Sequence, residues 1–447
     1  MEPKDAFASL RGHENPPARV RKARLRALRE SLCRHEGELL SALNQDLGKS
    51  PEEGYMTELG LVYDELSYCL RRLSRFCKGE KAKVGLANFP GKGKVIHDPY
   101  GRVLILAPWN YPVLLSLQPL IGAIAAGNSV AIKPSELSPS CSSAIRKVVE
   151  SAFDKDVAIC LEGGVTTAKA LLSLPFDMVF YTGSTKVGRE VYSSCAEKLI
   201  PCVLELGGKS PVLALPSADL NLLARRLAFG KCLNAGQTCV APDYLLLPKG
   251  KAKEFTIAFE KAVSSFYPPS PLSCPFYPHI VSKRHFDRLK GLLDGERPLY
   301  GGEDDGRRIA PTLLLSNFES KAMGEEIFGP ILPLIEYDDL DSALSKIASL
   351  PTPLAFYCFG KKKEAERIAS MVDCGAAVIN DTVMHLSSHS LPFGGKGGSG
   401  LGCYHGPYSL LCFSRPKAVL IKGKVDVKLR YPPFTKRKDY IIRKIVH

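Results

Sequence analysis

Gly101-Arg-Val-Leu-Ile-Leu-Ala-Pro-Trp-Asn110 runs on through an apolar stretch at 111–126 into Gly127-Asn-Ser-Val-Ala-Ile-Lys-Pro-Ser-Glu136. Val103-Leu-Ile-Leu has the length and composition of a buried strand. Residues 115–126 have the length of a helix, and Ser129-Val-Ala-Ile reads as the next strand. The rhythm continues outward, with helix at 142–153, strand at 157–160, helix at 167–173 and strand at 178–181. Strands alternating with helices predict a parallel, doubly wound sheet. The second half repeats the pattern: helices at 220–232, 251–265 and 364–371, strands at 244–247 and 376–379. Upstream, residues 15–45 and 58–76 read as helices, and a Gly- and Lys-rich connector follows at 78–94. The expectation is an α/β protein with two doubly wound parallel-sheet domains.

The 447 residues suffice for two or three domains, and 45% apolar with 24% charged residues is ordinary for a globular chain. No apolar run reaches the roughly 18 residues of a membrane span. The start, Met1-Glu-Pro-Lys-Asp5, lacks the apolar core of a secretory signal. Fourteen scattered cysteines without a repeating framework fit reduced thiols and a cytoplasmic setting. His385 and His389 are the one His-x-x-x-His pair, in a Ser-rich stretch without an intervening Glu, so no metal is expected. The net charge is +14, and the segment from Arg415 to His447 holds eleven Lys or Arg against two Asp. No aromatic pattern or motif accompanies this basic tail, so nucleic acid is not an expected partner. Val425, Val427 and Leu429 alternate with polar residues as a half-exposed strand does.

Cys239 closes the run Cys232-Leu-Asn-Ala-Gly-Gln-Thr-Cys239, and Glu205 lies upstream in Leu204-Glu-Leu-Gly-Gly-Lys209. A thiol attacks as thiolate and needs a base or an electropositive pocket. A carboxylate among leucines has its pKa raised and can serve as base. Taken alone, a cysteine is more often a packed core residue. Gly183 and Ser184 follow a strand and open a helix, whose N-terminal N–H groups suit a pyrophosphate. Lys133 and Glu136 follow a separate strand, where they can bond the two hydroxyls of a ribose. Glu136 repels a 2′-phosphate, which favours NAD over NADP. Asn110, at a strand end, has an amide that can stabilise an oxyanion.

Seven segments carry a family resemblance: Ala107-Pro-Trp-Asn-Tyr-Pro112, Ile132-Lys-Pro-Ser-Glu136, Phe180-Tyr-Thr-Gly-Ser-Thr185, Leu204-Glu-Leu-Gly-Gly-Lys-Ser-Pro211, Gly236-Gln-Thr-Cys239, Glu325-Glu-Ile-Phe-Gly-Pro330 and Pro392-Phe-Gly-Gly395. In order and spacing they resemble the aldehyde dehydrogenase superfamily, from about residue 10 to about residue 435. Lys133-Pro-Ser-Glu-Leu-Ser138, Ala241-Pro-Asp-Tyr244, Tyr404-His-Gly406 and Tyr431-Pro-Pro-Phe-Thr435 are similar to its class 3 branch. The resemblance implies an aldehyde dehydrogenase-like fold with an NAD(P)-binding domain at 1–205, a catalytic domain at 206–405 and a C-terminal oligomerisation arm at 406–447. An arm segment near 95–105 would pair with that C-terminal segment between subunits of a homodimer.

The resemblance further implies that Cys239 is the nucleophile, Glu205 the base that activates water, and Asn110 the oxyanion donor. Lys133 and Glu136 would meet the adenosine ribose, Glu326 the nicotinamide ribose, and Phe328 the nicotinamide ring. NAD is the implied cofactor, with NADP accepted by class 3 relatives, and the substrate a medium- or long-chain aliphatic or aromatic aldehyde. Two other readings share these residues. A relative could pass the acyl group to CoA or phosphate, or the fold could serve as a binding surface. Some class 3 relatives end in an apolar anchor or a prenylated cysteine. This sequence stops at Arg443-Lys-Ile-Val-His447, so membrane contact through the basic tail is a secondary expectation to a subunit arm.

Overall fold

The computed structural model describes residues 1–425 and 428–446. Its first sheet has six strands in the order Gly400–Leu401, Cys202–Glu205, Met178–Thr182, Arg102–Leu106, Ser129–Lys133 and Ala158–Cys160. All neighbours run parallel except Gly400–Leu401, which pairs antiparallel with Cys202–Glu205. The chain leaves Arg102–Leu106 toward one edge and returns to build the other through Met178–Thr182. The carboxyl ends of these two strands therefore flank a switch point, where α/β sheets open a crevice. Burial alternates with strand period two. Val103, Ile105 and Phe180 belong to the large central core, whereas Leu104, Leu106, Val179 and Tyr181 form a second core on the other face. Pro112–Ala126 is buried along its whole length, so its all-round apolar sequence fits an internal helix.

The second sheet is all parallel, in the order Thr312–Leu315, Ile331–Tyr337, Tyr244–Pro248, Pro211–Ala214, Ala355–Phe359 and Ala376–Ile379. A third, antiparallel sheet joins Glu80–Ala82, Gly91–Pro99 and Ser414–Lys422. Of the segment expected near 95–105, only residues up to Pro99 pair with the C-terminal strand, within the strand Gly91–Pro99. Residues 102–105 lie instead within the first sheet, because their apolar run is buried on both faces. The expected tail strand is displaced as well. Pairing ends at Lys422, Leu429 sits in the 3-10 turn Lys428–Arg430, and Val427 lies outside the described residues. Beyond it, Lys436–Val446 is helical, as its strongly amphipathic spacing favours. The second predicted helix, Gly60–Lys78, is preceded by a π turn at Tyr55–Leu59 that carries Glu58. No helix among the described residues is long and apolar enough to cross a membrane.

Candidate active site

Cys239 follows the helix Leu220–Cys232 and a tight turn at Leu233–Gly236. Asn234 and Ala235 both take left-handed conformations, at φ 50° each. Neither is a glycine, so the turn carries strain that its surroundings must offset. They do so with buried hydrogen bonds. Glu53 Oε1 accepts from Asn234 N at 2.8 Å, and Asn234 Nδ2 donates to the Asn110 carbonyl at 2.7 Å. Gln237 donates to the Asn234 and His279 carbonyls, each at 3.0 Å. Gly236 (φ 73°) has no alternative residue, since a Cβ there would sit 2.2 Å from the Gly329 carbonyl oxygen. The turn delivers Cys239 partly exposed, at the junction of two cavities, while Cys69, Cys141 and Cys160 are buried core residues.

The larger cavity, about 380 Å³, lies over the switch point of the first sheet. Asn110, Gly183, Ser184, Glu205, Cys239, Glu326 and Phe328 all line it. Glu205 ends its strand, 2% exposed, and neither carboxyl oxygen has a hydrogen-bond partner among the described residues. Burial alone pushes its pKa well above the ordinary carboxylate range. Burial also raises the Cys239 thiol, and the carboxylates of Glu326 and Glu205 push it further the same way. Asn110 is buried, with Nδ2 donating to the Gln237 carbonyl at 3.0 Å. An amide nitrogen carries two N–H groups, and the Gln237 carbonyl takes one of them.

The other end of this cavity fits a dinucleotide. Ser184 caps the helix Thr185–Glu197, and its side chain accepts from Val187 N at 3.4 Å. A Cβ on Gly183 would lie 2.3 Å from the Tyr181 hydroxyl, so the backbone there stays bare for a close approach. Thr182 Oγ1 is buried with no partner among the described residues, an acceptor and donor left for a ligand. Glu326 packs against Gly207, where a Cβ would sit 2.1 Å from Oε2. Burial first, and the charge of Asp243 second, raise its pKa to about 8. Phe328 (φ 50°) stands edge-on to Trp109, with ring centroids 5.4 Å apart. Lys133 and Glu136 lie away from these residues, at the end of the next strand, and pair with each other at 2.7 Å. Burial opposes ionisation of Glu136, but the Lys133 hydrogen bond, a bond from its own backbone N–H and the Lys133 charge together outweigh it and hold the pKa below the usual range.

Sequence reading did not single out His285 and Arg288, which line the same cavity from the helix Lys283–Leu293. His285 packs on Trp109 at 5.0 Å. No motif marks that helix, and only its contact with Trp109 reveals it. The second cavity, about 120 Å³, was also illegible, because its walls come from distant segments. Met56, Leu61, Leu114, Phe229, Leu386 and Phe393 give it an almost wholly apolar lining. His405 lines it as well. His405 stacks on Phe393 at 5.2 Å, and burial lowers its pKa to about 3, so it is a neutral ring. His389 pairs with Asp64 at 2.6 Å instead.

Residues 4–419 match the model of the aldehyde dehydrogenase family. Aldehyde dehydrogenase family 3 member H1 of Arabidopsis thaliana is 43% identical over 422 residues, covering 92% of this chain and 87% of the plant protein. The 4,4'-diaponeurosporen-aldehyde dehydrogenase of Staphylococcus aureus is 40% identical over 98% of this chain and 97% of its own. Among solved structures, a substrate-bound Staphylococcus aureus AldH superimposes with a TM-score of 0.94 at 39% identity, covering 96% of both chains. A Mycobacterium tuberculosis aldehyde dehydrogenase complexed with NAD+ gives a TM-score of 0.82 at 27% identity, over 92% of this chain and 87% of that one. On a family match that spans most of its length, the chain belongs to the aldehyde dehydrogenase family.

Proposed function

We propose that this protein oxidises apolar aldehydes to carboxylic acids with NAD as electron acceptor. The observation that carries this reading is the position of Cys239 at the junction of an apolar tunnel and the switch-point cavity, with Glu205 and Asn110 on the walls. The Cys239 sulfur bonds to the aldehyde carbon as its proton leaves toward the Glu205 carboxylate. The carbonyl oxygen takes the charge and is held by the free N–H of Asn110, a contact of a kind worth about 3–4 kcal/mol in the transition state. NAD, when bound, brings a cationic nicotinamide that accepts the hydride. Glu205, once it has passed the thiol proton on to solvent, takes a proton from water, the hydroxyl adds to the thioester, and the C–S bond breaks to release the acid, with the sulfur left as thiolate to be reprotonated. Gly183, Ser184, Lys133, Glu136, Glu326 and Phe328 hold the dinucleotide, with 1–205 as the cofactor-binding unit and 206–405 as the catalytic one.

The tunnel walls favour medium- or long-chain aliphatic or aromatic aldehydes, because they offer apolar area and few hydrogen bonds. A panel of such aldehydes, followed by NADH absorbance with NAD or NADP and with or without CoA, tests the reading. Turnover with NAD should need no CoA, fall for short polar aldehydes, and be slower with NADP. Strict dependence on CoA would replace hydrolysis by acyl transfer, and no turnover with any aldehyde would leave only a binding role.

The arm belongs to the same proposal. Ser414–Lys422 is nine residues long, lies at a sheet edge and exposes Leu420 and Ile421. An open edge of that length is suited to pairing with a second copy. The full chain should sediment as a dimer, and a chain lacking 414–447 as a monomer. A full-length monomer at micromolar concentration would remove the subunit-arm reading, and salt-sensitive binding to anionic vesicles would then favour membrane contact.

A further inference from the structure

Behind the Asn110 loop lies an ion pair that takes no part in the proposed chemistry. Lys49 Nζ and Glu58 Oε1 are 2.6 Å apart, and both side chains are 0% exposed. A buried pair is costly to desolvate and is weak evidence of stability, so its geometry must be asked for another purpose. Every remaining bond points at one place. Lys49 Nζ donates to the Asn110 main-chain carbonyl at 3.2 Å and lies over the Tyr111 ring at 3.8 Å. Glu58 Oε2 accepts from Val113 N at 2.9 Å and Leu114 N at 3.1 Å, the open N–H groups at the start of the helix Pro112–Ala126. The pair therefore clamps the loop from Asn110 onward: its own carbonyl, the next ring, and the first helical turn beyond.

The clamp has a structural cause. Glu58 sits on the π turn Tyr55–Leu59, which adds one residue to a helical turn and so rotates the succeeding helix by about 100°. That turn exposes Met56 and Thr57 to the substrate tunnel while Glu58 faces inward to Lys49. Glu53, one turn earlier, faces the same interior. It accepts from Asn234 N, and burial, partly offset by Lys49, raises its pKa to about 7. The Asn110 carbonyl is thus held jointly by Lys49 and by Asn234 of the cysteine turn.

We propose that Lys49 and Glu58 are positioning residues that fix the Asn110 amide relative to Cys239. This rests on the reading of Asn110 as the oxyanion donor. An oxyanion contact is sensitive to displacement of the donor by about 1 Å, which can cost up to about 100-fold in rate. The variant Lys49→Met/Glu58→Gln removes both charges together and strands neither. Its kcat should fall about 10- to 100-fold, with aldehyde KM and NAD affinity by fluorescence titration changed by less than about threefold. Placed in an Asn110→Ala background, the same pair of changes should lower kcat by no more than about twofold, since the group they position is gone.

Two results overturn the proposal. One is a kcat within about twofold of wild type. The other is a loss that multiplies undiminished on Asn110→Ala, the mark of a general structural defect. If Asn110→Ala alone turned over at the wild-type rate, the oxyanion reading itself would fail and the positioning role with it. Should the double variant not fold, Glu58→Gln alone is isosteric and keeps an acceptor for the helix start, and the same two comparisons apply to it.

Discussion

Cys239→Ala is expected to abolish aldehyde turnover, by roughly 10⁴-fold or more, since a covalent route loses its bond-forming atom. The change removes a partly exposed sulfur at a cavity junction and leaves the strained turn around it intact. NAD binding, read by fluorescence, should therefore be retained. The other thirteen cysteines are the internal control. Cys69, Cys141 and Cys160 are packed in the core, and alanine there should lower the thermal midpoint without removing the chemistry. Near-normal turnover by Cys239→Ala would sink the covalent mechanism.

Glu205→Gln separates the two halves of the reaction. Loss of a general base costs about 10²–10⁴-fold in the step it serves. Rapid mixing should show a burst of NADH followed by a slow steady rate, as thioester accumulates on Cys239. Equal loss of both phases would move its main role to the first half, as acceptor of the thiol proton or as a positioning group, rather than to hydrolysis. The raised pKa adds a pH signature. The base works when deprotonated, so wild-type kcat should rise as pH climbs through the elevated pKa and fall as pH drops through it. The stability term has the opposite sense. Because the folded-state pKa is the higher one, the folded protein favours the protonated form. Its contribution is full below the unfolded pKa near 4.3 and is lost as pH rises through the folded value. Glu205→Gln should flatten both profiles, and an unchanged kcat–pH curve would assign that titration to another group.

How much of this was legible in the sequence depended on where each signal resides. Cys239, Glu205 and Asn110 could be named because each stands in a motif whose neighbours serve the backbone. Gly236 and Gly207 are bare where a Cβ would collide with Gly329 and Glu326. The helices at 220–232 and 115–126 were readable from length and apolar content. Strands Pro211–Ala214, Thr312–Leu315, Ile331–Tyr337 and Ala355–Phe359 were not. They are buried on both faces over most of their length, so they lack alternation, and Pro333 interrupts one of them. The tunnel could not be read at all. Met56, Phe229 and Phe393 meet only in the folded chain, and the π turn that aims Met56 has no marker in residue type. The basic tail misled because alternation at 425–429 imitates a strand that ends at Lys422.

The pairing of Gly400–Leu401 with the strand that ends in Glu205 bears on how the chain is made. Thr185 Oγ1 likewise bonds the Gly398 carbonyl, 213 residues further on. A ribosome adding about 5–20 residues per second needs roughly 10–40 s to extend from the one segment to the other. Throughout that interval the outer edge of Cys202–Glu205 is a row of open N–H and C=O groups beside an unsatisfied carboxyl. Such an edge invites pairing with any neighbouring nascent chain. The strand that carries the proposed base is therefore among the last parts of the first sheet to be secured during synthesis, because its outer edge waits for the C-terminal third of the chain.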